Sequence, residues 1–107
     1  MFTRIVELTT KPGKNEQLSA TINDKILSIL KKQKGFVDEM VFVSDKEDNR
    51  VLGLSFWNTR EDAEQYHRTD YLKVQETVRP LLDAEPVIGT FEVHTSTTHK
   101  IAAGKAA

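Results

Sequence analysis

The chain has 107 residues, 38% apolar and 29% charged, with a formal net charge of -1 and no cysteine. That length fits one domain, small enough to bury only about 60–65% of its unfolded surface and so to gain from a partner chain. The near-neutral charge gives no overall electrostatic case for nucleic acid or an anionic membrane, the missing cysteines exclude disulfides, thiolate catalysis and sulfur-built zinc sites, and no apolar run approaches the roughly 18–20 residues of a membrane span.

Phe2 to Thr9, rich in Phe, Ile, Val and Thr, reads as a strand. It carries an acid early, at Glu7, which is unlike a signal peptide, and the cytoplasm is the expected compartment. Lys11-Pro12-Gly13-Lys14 is a turn, and Asn15 is the expected cap of a helix. Leu18, Ile22, Ile26, Ile29 and Leu30 form its apolar stripe. Lys31, Lys32 and Lys34 suit the negative end of the helix dipole, and Gly35 stops the helix. Phe36 to Ser44 and Arg50 to Trp57 read as strands joined by the polar Asp45-Lys46-Glu47-Asp48-Asn49, hence an antiparallel hairpin. Thr59-Arg60-Glu61-Asp62 has the form of a capping box and opens a helix to about His67. Thr69 or Asp70 recaps a second stretch, Tyr71 to about Arg79, which Pro80 ends. Val87 to Thr97 is the last strand. Residues 99–107, rich in Ala, Gly and Lys, read as a loose tail after a domain over 1–98.

The order β-α-β-β-α-β, with the second helix broken, predicts an α+β, ferredoxin-like domain with a four-stranded antiparallel sheet. In that fold both helices cover one sheet face. The hairpin strands are nonetheless apolar on both faces, and too little chain remains to cover the second. A second copy, sheet facing sheet, is the economical cover, so a homodimer is expected, with mid-strand Val41 as an interface residue.

The three histidines, His67, His94 and His99, have no metal-ligand spacing, and the five glycines are too scattered for a phosphate-binding loop. No metal and no nucleotide cofactor is therefore expected. Phe56, Trp57, Tyr66 and Tyr71 come from the third strand and the broken helix after it. They can line an apolar pocket with two hydroxyls and an indole N–H for orientation, or simply pack as core. A helix break over a sheet prevents close packing and is a natural place for a cavity.

Leu54-Ser55-Phe56-Trp57-Asn58-Thr59-Arg60-Glu61-Asp62-Ala63 resembles the strand-to-helix signature of the antibiotic biosynthesis monooxygenase superfamily. Lys11-Pro12-Gly13-Lys14, Lys34-Gly35-Phe36 and Val78-Arg79-Pro80-Leu81-Leu82 are similar to it as well, and the resemblance covers residues 2 to 96. It implies a dimeric α/β barrel. Members include cofactor-free oxygenases of quinol-type aromatics, haem-degrading enzymes and an isomerase. The haem degraders carry an Asn, a Trp and a His where this chain has Val6, Tyr66 and Glu76, which speaks against haem. Many relatives carry a His at the position of Tyr66, with His67 adjacent here. The expectation is a cofactor-independent monooxygenase of a small aromatic, quinol-like molecule. His67 and Tyr66 would be catalytic, with Trp57, Tyr71 and Phe56 holding the ring. A non-catalytic dimeric module that binds a small molecule is the alternative of a different class.

Overall fold

The computed structural model describes residues 1–101. Four strands, β1 (Phe2–Thr9), β2 (Phe36–Val43), β3 (Arg50–Trp57) and β4 (Val87–Glu92), form one antiparallel sheet in the order β2-β3-β1-β4. Between β1 and β2 run α1 (Asn15–Thr21), a π turn (Ile22–Ile26) and α2 (Leu27–Leu30). Between β3 and β4 run α3 (Arg60–Thr69), α4 (Tyr71–Val78) and a 3-10 turn over Arg79–Leu81. The domain is ferredoxin-like, and none of the helices among the described residues is long and apolar enough to cross a membrane.

The first helix is not the uninterrupted one its stripe suggests, and its periodicity explains why. Leu18, Ile22, Ile26 and Leu30 repeat every four residues, so an ideal α-helix would rotate them off one face by about 40° per step. The π turn has a wider repeat and absorbs that drift, and all four side chains stay buried. Asn15 is the first helical residue and not a side-chain cap. Its Oδ1 is already committed, accepting from the buried Thr10 hydroxyl at 2.6 Å. The three lysines fall beyond the last turn, because the helix ends at Leu30 and Gly35 (φ 80°) reverses the chain. Thr59 does cap α3, its hydroxyl accepting from the Asp62 N–H at 3.1 Å. Asp70 marks the break without a capping bond of its own; its carboxylate accepts from Gln33 Nε2 at 2.7 Å, pinning the break to the end of the first helical layer.

Strand pleating decides what each face holds. On β1, Phe2, Arg4, Val6 and Leu8 face the helices, opposite Trp57, Ser55, Gly53 and Val51 of β3. Between Phe36 and Asp38 the register of β2 slips by one residue, a bulge that brings Glu39 rather than Asp38 opposite Ser55. The other face carries Ile5, Leu52, Leu54, Phe56, Met40, Phe42, Val87 and Phe91, with Phe42 49% and Phe91 53% exposed. Val41, expected at an interface, instead pairs with Gly53 and packs against the core; Phe42 is its neighbour on the uncovered face.

β4 is shorter than the expected Val87 to Thr97. Among the described residues its only neighbour is β1, whose ladder begins at the pair Phe2–Glu92, and the Val93 N–H bond to Met1 O is the last contact β1 offers it. The chain then turns back. Ser96 and Ile101 form a bridge, and the His99 ring lies 5.9 Å from that of Phe56, on the uncovered face. Of the tail read as loose, residues 102–107 lie outside the described residues.

Two of the described glycines hold left-handed backbone, Gly13 at φ 73° and Gly35 at φ 80°. At Gly13 a Cβ would meet open space, whereas at Gly35 it would fall 2.6 Å from Asp62 Cβ. An alanine costs about 1–2 kcal/mol at either position for the backbone alone, and Gly35→Ala adds a collision. Urea denaturation should show Gly35→Ala losing clearly more stability than Gly13→Ala; equal losses would contradict this packing of the α3 start.

Candidate functional site

The centre of the helix-covered face is a buried cation. Arg4 is 2% exposed. Its guanidinium carbon lies 5.2 Å from the Tyr66 ring centroid and 4.7 Å from that of Tyr71, so phenol rings from both sides of the helix break hold one charge. Nη1 donates to His67 Nδ1 at 3.2 Å. Nη2 is buried without a partner among the described residues. Burial pulls the Arg4 pKa down from its ordinary value, while the two tyrosines act the other way. An arginine starts high enough to stay protonated regardless.

Beside Arg4, between sheet and helices, lies a cavity of about 70 Å³. Its polar edge is Arg4, Glu39, Ser55, Tyr66, Tyr71 and Gln75, and its walls are aliphatic residues including Val6, Ile22, Ile26 and Val74. Among the described residues, Arg4 and Glu39 are the only charged ones of that lining. Burial pushes the Glu39 carboxyl up, helped by neighbouring Asp38. Burial also carries the Tyr66 hydroxyl well above the usual phenol range, against the attraction of Arg4, and raises Tyr71 in the same way. Both tyrosines are therefore hydrogen-bond donors at neutral pH and not bases.

The aromatic residues singled out in the sequence divide into three groups. Tyr66 and Tyr71 reach the cavity, with rings 6.1 Å apart edge to face. Trp57 is fully buried behind them, stacked on Tyr66 at 5.1 Å with its Nε1 donating to Ser55 Oγ at 2.9 Å. It is the floor under Tyr66 and not part of the cavity lining. Phe56 projects from the opposite face of the sheet, as an immediate neighbour of Trp57 in an extended strand must, and does not join the cluster.

His67 stacks on Tyr71 at 5.2 Å and lies outside the cavity, along an outer groove of about 300 Å³ that also touches Arg4, Arg60 and Arg68. Because a guanidinium can only donate, Nδ1 is the acceptor, and the neutral ring carries its proton on Nε2. Burial first, then Arg4 and Arg68, lower the His67 pKa. The lone pair a general base would use is thus occupied by Arg4.

Arg4 and Glu39 were not among the expected site residues. The parity of β1 carried a signal for the first, since Arg4 shares a face with Phe2, Val6 and Leu8. Glu39 had none, because its facing depends on the bulge.

Several solved structures share this arrangement of elements. SnoaB of Streptomyces nogalater, described as a cofactor-independent oxygenase and solved as its N63A mutant, superposes with a TM-score of 0.74 at 15% identity, over 90% of this chain and 95% of that one. The monooxygenase from the gene ActVA-Orf6 of Streptomyces coelicolor, in complex with nanaomycin D, gives 0.77 at 13% identity, over 89% and 88%. A conserved protein of Methanosarcina mazei Go1 gives 0.68 at 22% identity, over 85% and 91%. No curated protein matches the chain. At these identities the likeness establishes the fold. The family model for antibiotic biosynthesis monooxygenase matches residues 1–77, from β1 through most of the broken helix. This chain belongs to the antibiotic biosynthesis monooxygenase family.

Proposed function

We propose that the protein is a cofactor-independent monooxygenase of a small, quinol-like aromatic, acting as a cytoplasmic homodimer. The observation that carries this reading is the cavity itself, an apolar chamber beside the helix break with two phenol donors and one desolvated cation along one edge. Family membership and the oxygenases among the structural neighbours support it.

The chemistry asks little of the protein beyond a dry, oriented site. An electron-rich phenol loses its proton, and the ring carbon para to the oxygen takes up O2 as a hydroperoxide. Loss of water then leaves a quinone. One oxygen atom enters the product, the other leaves as water, and the substrate supplies all the electrons. Tyr66 and Tyr71 orient the ring by donation, and Trp57 holds Tyr66 in place from behind. His67, the expected base, fits a positioning role better, fixing Arg4 by accepting from Nη1. At about 70 Å³ the cavity takes one edge of a ring, so the remainder of a larger substrate lies in its mouth or displaces side chains.

The uncovered sheet face supports the dimer. Met40, Phe42, Val87 and Phe91 are exposed apolar side chains spread across one face of the sheet, from β2 at one edge to β4 at the other, which suits a covered face better than a free one.

Oxygen uptake tests the reaction. With hydroxylated naphthalenes, and with chelator present but no nicotinamide or flavin, the protein should consume one O2 per quinone formed. Tyr66→Phe should weaken binding of the same ligands by about 0.5–1.5 kcal/mol, the net worth of one hydrogen bond. Saturable binding with no uptake for any of them would instead favour a non-catalytic binding module.

For the dimer, sedimentation should show two copies per particle for the natural chain. Phe42→Asp, which would place an unpaired charge in the interface at a cost of several kcal/mol, should give a folded monomer. A natural chain that sediments as a monomer would remove the dimer from the reading.

The His67 role has its own signature. Because its folded pKa lies below that of a free imidazole, the unfolded chain takes up a proton at His67 at higher pH than the folded one does. Stability contributed here is complete above the unfolded pKa, declines as pH falls from there to the folded pKa, and is lost below it. The ring resonances should titrate below those of a model histidine and move upward in Arg4→Met. Unchanged titration in that variant would mean that Arg4 and His67 do not interact in solution.

A further inference from the structure

We infer that Arg4 is the anion-binding group of the cavity, and that it selects aromatic ligands that present an ionised oxygen. The inference rests on the reading of the cavity as an aromatic-binding site, and it narrows the substrate to acidic phenols and enols bound as their anions.

The hydrogen-bond inventory of Arg4 leads to this. A guanidinium has five N–H donors and no acceptor. Here the residue is 2% exposed. One nitrogen, Nη1, is spent on His67. The rings of Tyr66 and Tyr71 give diffuse attraction to the face of the group but no acceptor atom. Nη2 has no partner. A buried charge with an unmade hydrogen bond is expensive, and Arg4 borders the cavity as well as the outer groove. An oxyanion entering there meets a desolvated cation, which makes their hydrogen bond a charge-assisted one in a medium of low dielectric. A neutral ether or hydrocarbon of the same shape leaves Nη2 as it was.

The groups that bear on such an anion are few. From β1 comes Arg4. From α3 come the Tyr66 hydroxyl and, behind Arg4, the neutral His67; from α4 comes the Tyr71 hydroxyl. All four favour a negative oxygen or leave it unopposed. From β2 comes Glu39, the one carboxylate of the lining and the one opposing charge.

The test uses 4-nitrophenol, whose anion is coloured, and its methyl ether 4-nitroanisole, which has no ionisable oxygen. Neither depends on turnover, so the outcome is independent of whether quinols are oxidised. Titrated with the natural chain, 4-nitrophenol should ionise at a pH lower by about 1–3 units, as an opposite charge a few ångströms away requires. The ether should bind about tenfold more weakly or worse, the loss expected for one charge-assisted hydrogen bond. Arg4→Met should abolish the shift, Arg4→Lys should retain part of it, and Glu39→Gln should enlarge it. If Arg4→Met does not fold, the phenol–ether comparison on the natural chain and the Glu39→Gln arm still decide. Equal binding of phenol and ether, an unshifted ionisation, or a shift that survives in Arg4→Met would each show that Arg4 is only a structural cation satisfied by its two rings. Failed oxygen uptake together with a shifted phenol would instead leave the anion site standing and remove the oxygenase.

Discussion

The helix-covered face is organised around one buried charge. Arg4 sits in one of the two central strands, where a neutral apolar residue would be easier to accommodate, and its surroundings follow from that. A desolvated guanidinium needs electron-rich neighbours on more than one side. Tyr66 supplies one ring from α3 and Tyr71 another from α4. A straight helix would carry these residues, five positions apart, on differing faces. The break at Asp70, held by Gln33, lets both turn toward the same point. Trp57 and Ser55 then fill the space beneath Tyr66, and His67 takes the outer nitrogen. The cavity is the volume those demands leave beside the cation.

The architecture was largely legible in the sequence, because strands and helices announce themselves through pattern and punctuation. The hairpin, the Thr59 cap and the end of the broken helix at Pro80 stand where local chemistry puts them. The misreadings have physical causes. Asn15 is chemically an ideal cap, but a tertiary partner, Thr10, already holds its oxygen. The last strand is shorter than its composition suggests because its neighbour ends first. Phe56 and Trp57 are adjacent in sequence, but the two-residue period of a strand sends them to opposite faces. A charge in a strand is ordinarily solvated, but the parity of Phe2, Val6 and Leu8 places Arg4 inside.

The comparisons sharpen the division between scaffold and chemistry. Chains sharing 13–22% of their residues with this one keep its outline over most of their length. What they have in common is therefore the path of the backbone, and sites on a shared backbone must be argued from their own side chains. Here those are a cation, two phenols and a carboxylate, with His67, next to Tyr66, hydrogen-bonded to the arginine.

The bulge in β2 gives the fold an unusual freedom. Ahead of it, Phe36 faces the helices; past it, the alternation is shifted by one, so Glu39 and Val41 face inward and Met40 and Phe42 outward. Which side chain enters the cavity from this strand is thus set by a count of residues as well as by their identity. Lengthening or shortening the segment by a single codon would exchange the inward and outward sets of half a strand at once, recasting the cavity wall and the opposite face together. Point substitution cannot do that, and it makes this edge of the sheet the place where relatives of the same outline can diverge most abruptly in what they bind and how they associate.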